Sequence, residues 1–110
     1  MRFAHESERH FAGVLDFYGI AWEYEPVEFI LEWDGSGAVV SAFRPDFYLP
    51  GAGLFIELTT LRQELVTRKN RKLRLMAELY PDIRVKMLYR RDVAQLGLKY
   101  PQGGPTRLAG

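Results

Sequence analysis

The chain contains no cysteine, which excludes disulfide bonds and thiolate metal sites and favours a cytoplasmic location. It contains no apolar run long enough to span a bilayer. Its first residues are polar and do not form the apolar core of a secretion signal. We therefore expect a cytoplasmic protein that has no membrane partner.

The composition is typical of one folded domain. Of the 110 residues, 47% are hydrophobic and 26% are charged, which is ordinary for a globular protein and unlike a disordered chain. Glycine and proline are frequent among the last ten residues. We expect a single domain over residues 1–100 and a mobile tail over residues 101–110.

Charge is distributed unevenly, although the net charge is only +1. Residues 1–61 contain three basic and ten acidic side chains, whereas residues 62–91 contain ten basic and three acidic ones. An acidic side next to a basic side suits the binding of phosphate beside a cation. The alternative is that the basic side is a solvated helix face without a ligand.

Hydrophobic periodicity predicts two main helices and several strands. Apolar residues occur at helical spacing over Glu6–Tyr18, which Gly19 ends, and over Thr67–Tyr80, which Pro81 ends. The predicted extended segments are Trp22–Glu25, Glu28–Trp33, Ala38–Phe43, Phe43–Leu49, Leu54–Thr59 and Arg84–Tyr89, and a short helix follows over Asp92–Leu96. The order α-β-β-β-β-α-β predicts an α/β (α+β) fold in which helices flank a mixed sheet.

The central hairpin places two carboxylates side by side. If the loop is Pro50–Gly53 and Leu49 pairs with Leu54, then Asp46 lies opposite Glu57, and opposed residues share one face of the sheet. Two adjacent negative charges repel each other, and a hard cation such as Mg²⁺ would offset that repulsion. The alternative is a salt-bridged strand, in which Arg44 or a lysine of the basic helix pairs with one carboxylate.

Glu57 favours the functional interpretation. It interrupts the apolar run Leu54-Phe-Ile-Glu-Leu58. A charge within such a run is costly unless it is paired or bound to metal.

The residues around this hairpin resemble those of a nuclease family. Arg44-Pro-Asp-Phe-Tyr-Leu-Pro50 followed by Leu54-Phe-Ile-Glu57 is similar to the core of the PD-(D/E)xK nucleases, especially the bacteriophage endonuclease I type of Holliday junction resolvase. The likeness extends from about Glu8 to Leu88. It includes Trp22-Glu-Tyr-Glu25 and the basic helix that leads to Tyr80-Pro-Asp-Ile-Arg84.

The resemblance implies a restriction-endonuclease-like fold and a metal-dependent endonuclease. Mg²⁺ or Mn²⁺ would be held by Asp46, Glu57 and the carbonyl of Leu58, with Glu8 of the first helix facing the same site. The reaction would be hydrolysis of phosphodiester bonds in branched DNA. Cutting two strands would require a homodimer, with the first helix or the Trp22–Phe43 strands as its interface.

One position departs from the family pattern. The family has lysine two residues after the glutamate, where this chain has the uncharged Thr59. Arg44, which faces Thr59 in the predicted register, is one candidate for the missing cation, and Lys69 and Lys72 of the basic helix are the others. The loss of lysine can equally mean that catalysis is lost. The candidate catalytic residues are Glu8, Arg44, Asp46, Glu57, Thr59 and Lys72.

A second resemblance concerns the Glu-x-Thr variant itself. Glu57-Leu-Thr-Thr60 followed by Leu65-Val-Thr-Arg-Lys-Asn-Arg-Lys72 is similar to a small domain joined to some bacterial phosphoribosyltransferases. That likeness implies that Glu-x-Thr is the rule in this branch of the superfamily.

The basic helix is the candidate nucleic-acid-binding element, because lysine and arginine on one helix face can contact phosphates. Its candidate residues are Arg68, Lys69, Arg71, Lys72 and Arg74. Two further hypotheses remain beside the nuclease. One is an inactive module that binds nucleic acid or nucleotide, and the other is an interaction or regulatory domain attached to nucleotide metabolism.

Overall fold

The computed structural model describes residues 2–59, 63–89 and 91–93. Residues 91–93 are helical, while the rest of the predicted short helix lies outside the described residues, as does the predicted tail over residues 101–110. Within the described part of the chain, no helix is long and apolar enough to cross a membrane.

The described residues form two helices and six strands. In chain order these elements are α1 (Glu6–Phe17), β1 (Glu23–Tyr24), β2 (Phe29–Trp33), β3 (Val39–Phe43), β4 (Phe47–Leu49), β5 (Leu54–Thr59), α2 (Gln63–Leu79) and β6 (Arg84–Tyr89). Five strands precede α2, which matches the five predicted extended segments and is one more than the four in the predicted order. The second helix begins four residues earlier than predicted.

Helix α1 forms as its apolar spacing predicts. Phe11, Val14 and Leu15 are buried on one face. Gly19 takes a φ of 68°, in the left-handed region that favours glycine. The backbone N–H of Ile20 donates to the carbonyl of Leu15 at 2.9 Å, which satisfies one of the last carbonyls of the helix.

The fold is a mixed α+β arrangement with a mixed four-stranded sheet. Its strand order is β1-β4-β5-β6, in which β1, β4 and β5 pair antiparallel and β5 pairs parallel with β6. The parallel pairing requires a crossover between β5 and β6, and α2 lies in that connection. Strands β2 and β3 pair antiparallel as a separate two-stranded sheet.

The two faces of the four-stranded sheet carry different apolar clusters. The α1 face buries the first cluster, whose strand members are Phe47, Leu49, Ile56 and Leu58. The opposite face buries Phe55 together with Phe29 and Met76, which come from β2 and α2. Because side chains alternate along a strand, Glu57 shares the face of Phe55 and points toward α2.

Side chains of α2 attach the helix to the separate β2–β3 sheet. Arg71 donates from two nitrogens to the carboxylate of Glu32, at 2.9 and 3.2 Å. The Nζ of Lys72 donates to the carbonyl of Ala42 at 2.8 Å. These bonds place the middle of α2 beside the point where β3 leads into the carboxylate hairpin.

Candidate active site at the carboxylate hairpin

The β4–β5 hairpin has the register that its loop predicts. The paired residues are Phe47 with Ile56, Tyr48 with Phe55, and Leu49 with Leu54. One step beyond the ladder, the backbone N–H of Asp46 donates to Oε1 of Glu57 at 3.2 Å. The N–H of Leu58 donates to Oδ2 of Asp46 at 2.8 Å. The prediction that the two carboxylates lie together is confirmed.

Burial makes this pair of carboxyl groups electrostatically unusual. Asp46 is 8% exposed and Glu57 is 6% exposed. Burial, followed by the charge of Glu57, raises the pKa of Asp46 from its ordinary 3.8 to about 8, while the hydrogen bond from Leu58 opposes that rise. Burial also raises the pKa of Glu57, against the opposing effect of Lys69. Near neutral pH the site therefore favours retaining a proton on Asp46.

Lys69 is the cation that reaches the pair. Its Nζ lies 2.8 Å from Oε2 of Glu57 and donates to the carbonyl oxygen of Leu58 at 2.5 Å. The ammonium therefore bridges a carboxylate and a peptide oxygen beside the position where the family pattern places its lysine. The same contact is what the salt-bridged alternative predicts, so this geometry is compatible with both interpretations of the carboxylates.

Arg44 does not enter the space beside Thr59 as the predicted register implied. The β4–β5 ladder ends at the pair of Phe47 and Ile56, because the next N–H, that of Asp46, donates to the side chain of Glu57 and Pro45 has no N–H to donate. The guanidinium of Arg44 instead pairs with Glu28 at 3.5 Å on the exposed surface. The interpretation of Arg44 as the direct replacement for lysine is therefore wrong for this structure.

Lys72 borders the site without bonding to the carboxylates in the described geometry, because its ammonium goes to the carbonyl of Ala42. It lines a pocket of about 240 Å³ beside Glu57. The residues that line this pocket are Phe43, Arg44, Glu57, Arg68, Lys69 and Lys72. Four of the six carry a positive charge, so the pocket suits an anion.

Thr59 is buried at the end of β5 and pairs with Tyr89 of the parallel neighbour β6. Alternation along β5 places its side chain on the face that Glu57 occupies. It is uncharged, so it cannot supply the ammonium that the family pattern has at this position.

Glu8 lies in the first turn of α1 and is buried. Its Oε1 accepts hydrogen bonds from the hydroxyl of Tyr24 at 2.5 Å and from the N–H of Ala4 at 3.1 Å. The charge of Glu8 also contributes to the raised pKa of Asp46. Burial and the bond to Glu8 raise the pKa of Tyr24. Tyr24 is a partner of Glu8 that sequence reasoning missed, because its only signal is alternation in an extended segment.

The five candidate phosphate-binding residues of α2 fall into two groups. Lys69, Arg71 and Lys72 bond within the protein, to the carboxylate site and to the β2–β3 sheet. Arg68 and Arg74 are exposed, and Arg68 also lines the pocket beside Glu57. A phosphate chain approaching this face would therefore meet Arg68 first.

Within the described part of the chain, no three His, Asp or Glu side chains group closely enough to hold a metal ion together. The oxygens that do converge are those of Asp46 and Glu57 and the carbonyl of Leu58. Oxygen sets with one or two carboxylates suit Mg²⁺, which keeps several water molecules.

Comparisons of the chain with models of protein families, with curated proteins and with solved structures returned no match. The functional proposal below therefore depends on the residues of the chain itself.

Proposed function

We propose that the protein is a metal-dependent endodeoxyribonuclease that hydrolyses phosphodiester bonds in branched DNA, with a restriction-endonuclease-like fold. The observation that carries the proposal is the buried pair of Asp46 and Glu57 beside a pocket lined by four basic side chains. An acidic pair and a basic pocket in contact provide opposite charges for a cation and for a phosphate. These two carboxylates lie in the Pro-Asp-Phe and Ile-Glu segments that resemble the core of the PD-(D/E)xK nucleases.

A divalent cation fits these residues. The two carboxyl groups are buried together, and the pKa of Asp46 is raised to about 8 although the charge of Lys69 opposes that rise, so a second positive charge would relieve the remaining repulsion. Asp46, Glu57 and the Leu58 carbonyl would hold Mg²⁺ or Mn²⁺. When bound, the ion supplies Lewis-acid charge that polarises a phosphoryl group and favours deprotonation of water.

The chain's own cations would act on the phosphate. Arg68 and Lys72 line the pocket and would draw the DNA backbone toward Glu57. The ammonium of Lys69 would donate to a phosphoryl oxygen and stabilise the charge that develops on it, as Thr59 cannot. Buried Glu8, held by Tyr24, adds negative charge near Asp46 and favours a cation there.

A homodimer is part of the proposal, because one domain offers one site and a junction has two strands to cut. The surface proposed for the second copy is the β2–β3 sheet, where Trp33, Val39 and Val40 are 53%, 54% and 62% exposed. Residues 35–43 contain no charged side chain. An uncharged edge strand of this kind is open to pairing with another strand.

A second candidate function is an inactive module that binds nucleic acid. The specific observation in its favour is the Lys69–Glu57 ion pair, which neutralises one carboxylate without any metal. Such a module would bind DNA with an affinity that falls steeply with salt, and it would show no metal-dependent turnover.

The decisive experiment is a cleavage time course on a labelled four-way junction and a matched linear duplex with Mg²⁺, Mn²⁺ or EDTA. The variants are Asp46→Asn and Glu57→Gln, and Asp82→Asn, an exposed carboxylate in the α2–β6 turn, is the matched control. Metal-dependent cutting by wild type and Asp82→Asn, lost in the other two, is expected. A folded wild type that binds the junction but cuts neither substrate would replace the nuclease proposal with the inactive module.

A further inference from the structure

Lys69 occupies two of the three oxygen groups that a metal ion would need. Its Nζ is 2.8 Å from Oε2 of Glu57 and 2.5 Å from the carbonyl oxygen of Leu58. A Mg²⁺ ion bound by the same oxygens would stand about 2.1 Å from each of them. An ammonium and a divalent ion at such distances from the same two oxygens would repel each other at close range, so both cannot be held there together.

The side chain of Lys69 has an alternative position in the neighbouring pocket. Lys69 is one-quarter exposed, and it lines the pocket that Arg68 and Lys72 also line. A lysine stem is long and flexible, so its ammonium can turn from the carboxylate into this space without movement of α2. The pocket is where the proposed function places a phosphate, which would accept the displaced ammonium.

The proposed function says only that a metal and a phosphate bind here, and the following step rests on it. We propose that Lys69 is the resident cation of the metal-free site, that it must be displaced from Glu57 and Leu58 before a divalent ion binds, and that it thereby sets the metal concentration at which the site fills. In the metal-free protein the ammonium of Lys69 balances the charge of the buried Glu57 carboxylate. Entry of the metal releases a lysine at the position of the substrate phosphate.

The test is metal binding rather than turnover. Mn²⁺ is titrated by calorimetry into the wild type and into Lys69→Met, which keeps the length and apolar stem of lysine without its charge. Lys69→Gln is a second variant, which removes the charge but keeps a polar side chain, in case the apolar methionine of Lys69→Met prevents folding. Lys86→Met is the matched control, because Lys86 is an exposed lysine of β6 that is not among the residues lining the pocket. Asp46→Asn shows that binding occurs at this site.

Removing the competing ammonium is expected to tighten Mn²⁺ binding by at least about tenfold, the value of one charge-assisted hydrogen bond. Lys86→Met should stay within about twofold of the wild type, since it removes an exposed charge from outside the pocket. If the wild type binds Mn²⁺ and the Lys69 variants bind it equally or more weakly, the displacement step is refuted and the proposed nuclease remains. If no variant binds Mn²⁺ at millimolar concentration, the displacement step and the metal site of the proposed function both fail.

Discussion

The ammonium of Lys69, on helix α2, lies 2.8 Å from the carboxylate of Glu57, on strand β5. The two residues are twelve positions apart in the chain, and the family pattern would instead place lysine two positions after the glutamate. Helix α2 therefore supplies, through Lys69, the positive charge that the uncharged Thr59 of β5 does not supply. This pairing makes the stability of the metal-free protein depend on the site itself.

The stability of the metal-free protein should fall as pH rises from about 4 to about 8. Folding raises the pKa of Asp46 from 3.8 to about 8, so in that window the folded state holds a proton that the unfolded state has lost. Stability from this group is fully present below about pH 4 and is lost as pH rises through 8, by at most about 1.4 kcal/mol per pH unit. Urea unfolding in the presence of EDTA at several pH values measures this change in the free energy of unfolding.

Asp46→Asn is the comparison for this pH dependence, since the amide resembles the protonated acid and does not titrate. The difference in unfolding free energy between variant and wild type should grow in the variant's favour toward pH 8. A difference that is constant from pH 5 to pH 8 would mean that Asp46 does not retain a proton on folding.

Lys69 and Glu57 should show strong coupling in a double-mutant cycle without metal. Lys69→Met leaves the buried Glu57 carboxylate without its partner and should cost about 2 kcal/mol of unfolding free energy. Glu57→Gln removes the carboxylate charge, so Lys69→Met should cost much less in that background. Denaturant unfolding of the four proteins gives the coupling.

The control for the cycle is Lys86→Met, since Lys86 is an exposed lysine on β6 that should not couple to Glu57. Additive effects of Lys69→Met and Glu57→Gln would show that their contact contributes nothing to stability.

Arg68 should matter more than Arg71 for DNA binding. Arg68 is exposed beside the pocket, whereas both terminal nitrogens of Arg71 already bond to Glu32. Arg68→Ala should weaken binding to a labelled duplex and reduce the slope of log K against log salt by about 1. Arg71→Ala should leave that slope unchanged and change stability little, because its ion pair with Glu32 is exposed to solvent.

Fluorescence anisotropy across a salt series measures both effects. Equal losses of slope for the two variants would mean that Arg71 leaves Glu32 when DNA binds.

The β2–β3 surface should control the oligomeric state. Val40→Lys places a charge on an exposed edge strand that has none, and a charged edge resists pairing with another copy. We expect the variant to sediment as a monomer at concentrations where the wild type sediments as a dimer. Val27→Lys, an exposed valine outside that sheet, is the control. A wild type that is monomeric throughout would exclude this interface.

Tyr24→Phe should destabilise the protein through Glu8. The phenol donates to a buried carboxylate at 2.5 Å, and removing a donor to a charged group costs about 2 kcal/mol. Tyr18→Phe, a change at an exposed tyrosine, should be nearly neutral. The midpoints of thermal unfolding of the two variants are compared. Equal midpoints would show that the hydrogen bond from Tyr24 to Glu8 makes no net contribution to stability.

Local rules account for a large part of the fold. Helix α1 follows from the spacing of Phe11, Val14 and Leu15 and from Gly19, and the hairpin register follows from the length of the Pro50–Gly53 loop. A loop of known length leaves one way to pair the strands, so the adjacency of Asp46 and Glu57 could be predicted from the chain.

The cation beside Glu57 could not be predicted in the same way. Arg44, Lys69 and Lys72 were equivalent candidates, because spacing along a helix gives its faces but not its rotation against a sheet or its distance from it. Packing of Met76 and Leu73 against Phe29 and Phe55 sets that rotation, and it turns Lys69 toward the carboxylates and Lys72 toward Ala42.

The burial of Glu8 has a similar origin. Its place in the first turn of α1 does not by itself indicate burial, but the hydroxyl of Tyr24 from β1 and the backbone N–H of Ala4 both donate to its carboxylate. Glu8 and Tyr24 are sixteen residues apart in the chain and meet only when the chain folds back. Contacts within one helix or hairpin can therefore be predicted from residue spacing in the sequence. The identity of a charged partner from another element depends on how the elements pack in the tertiary structure.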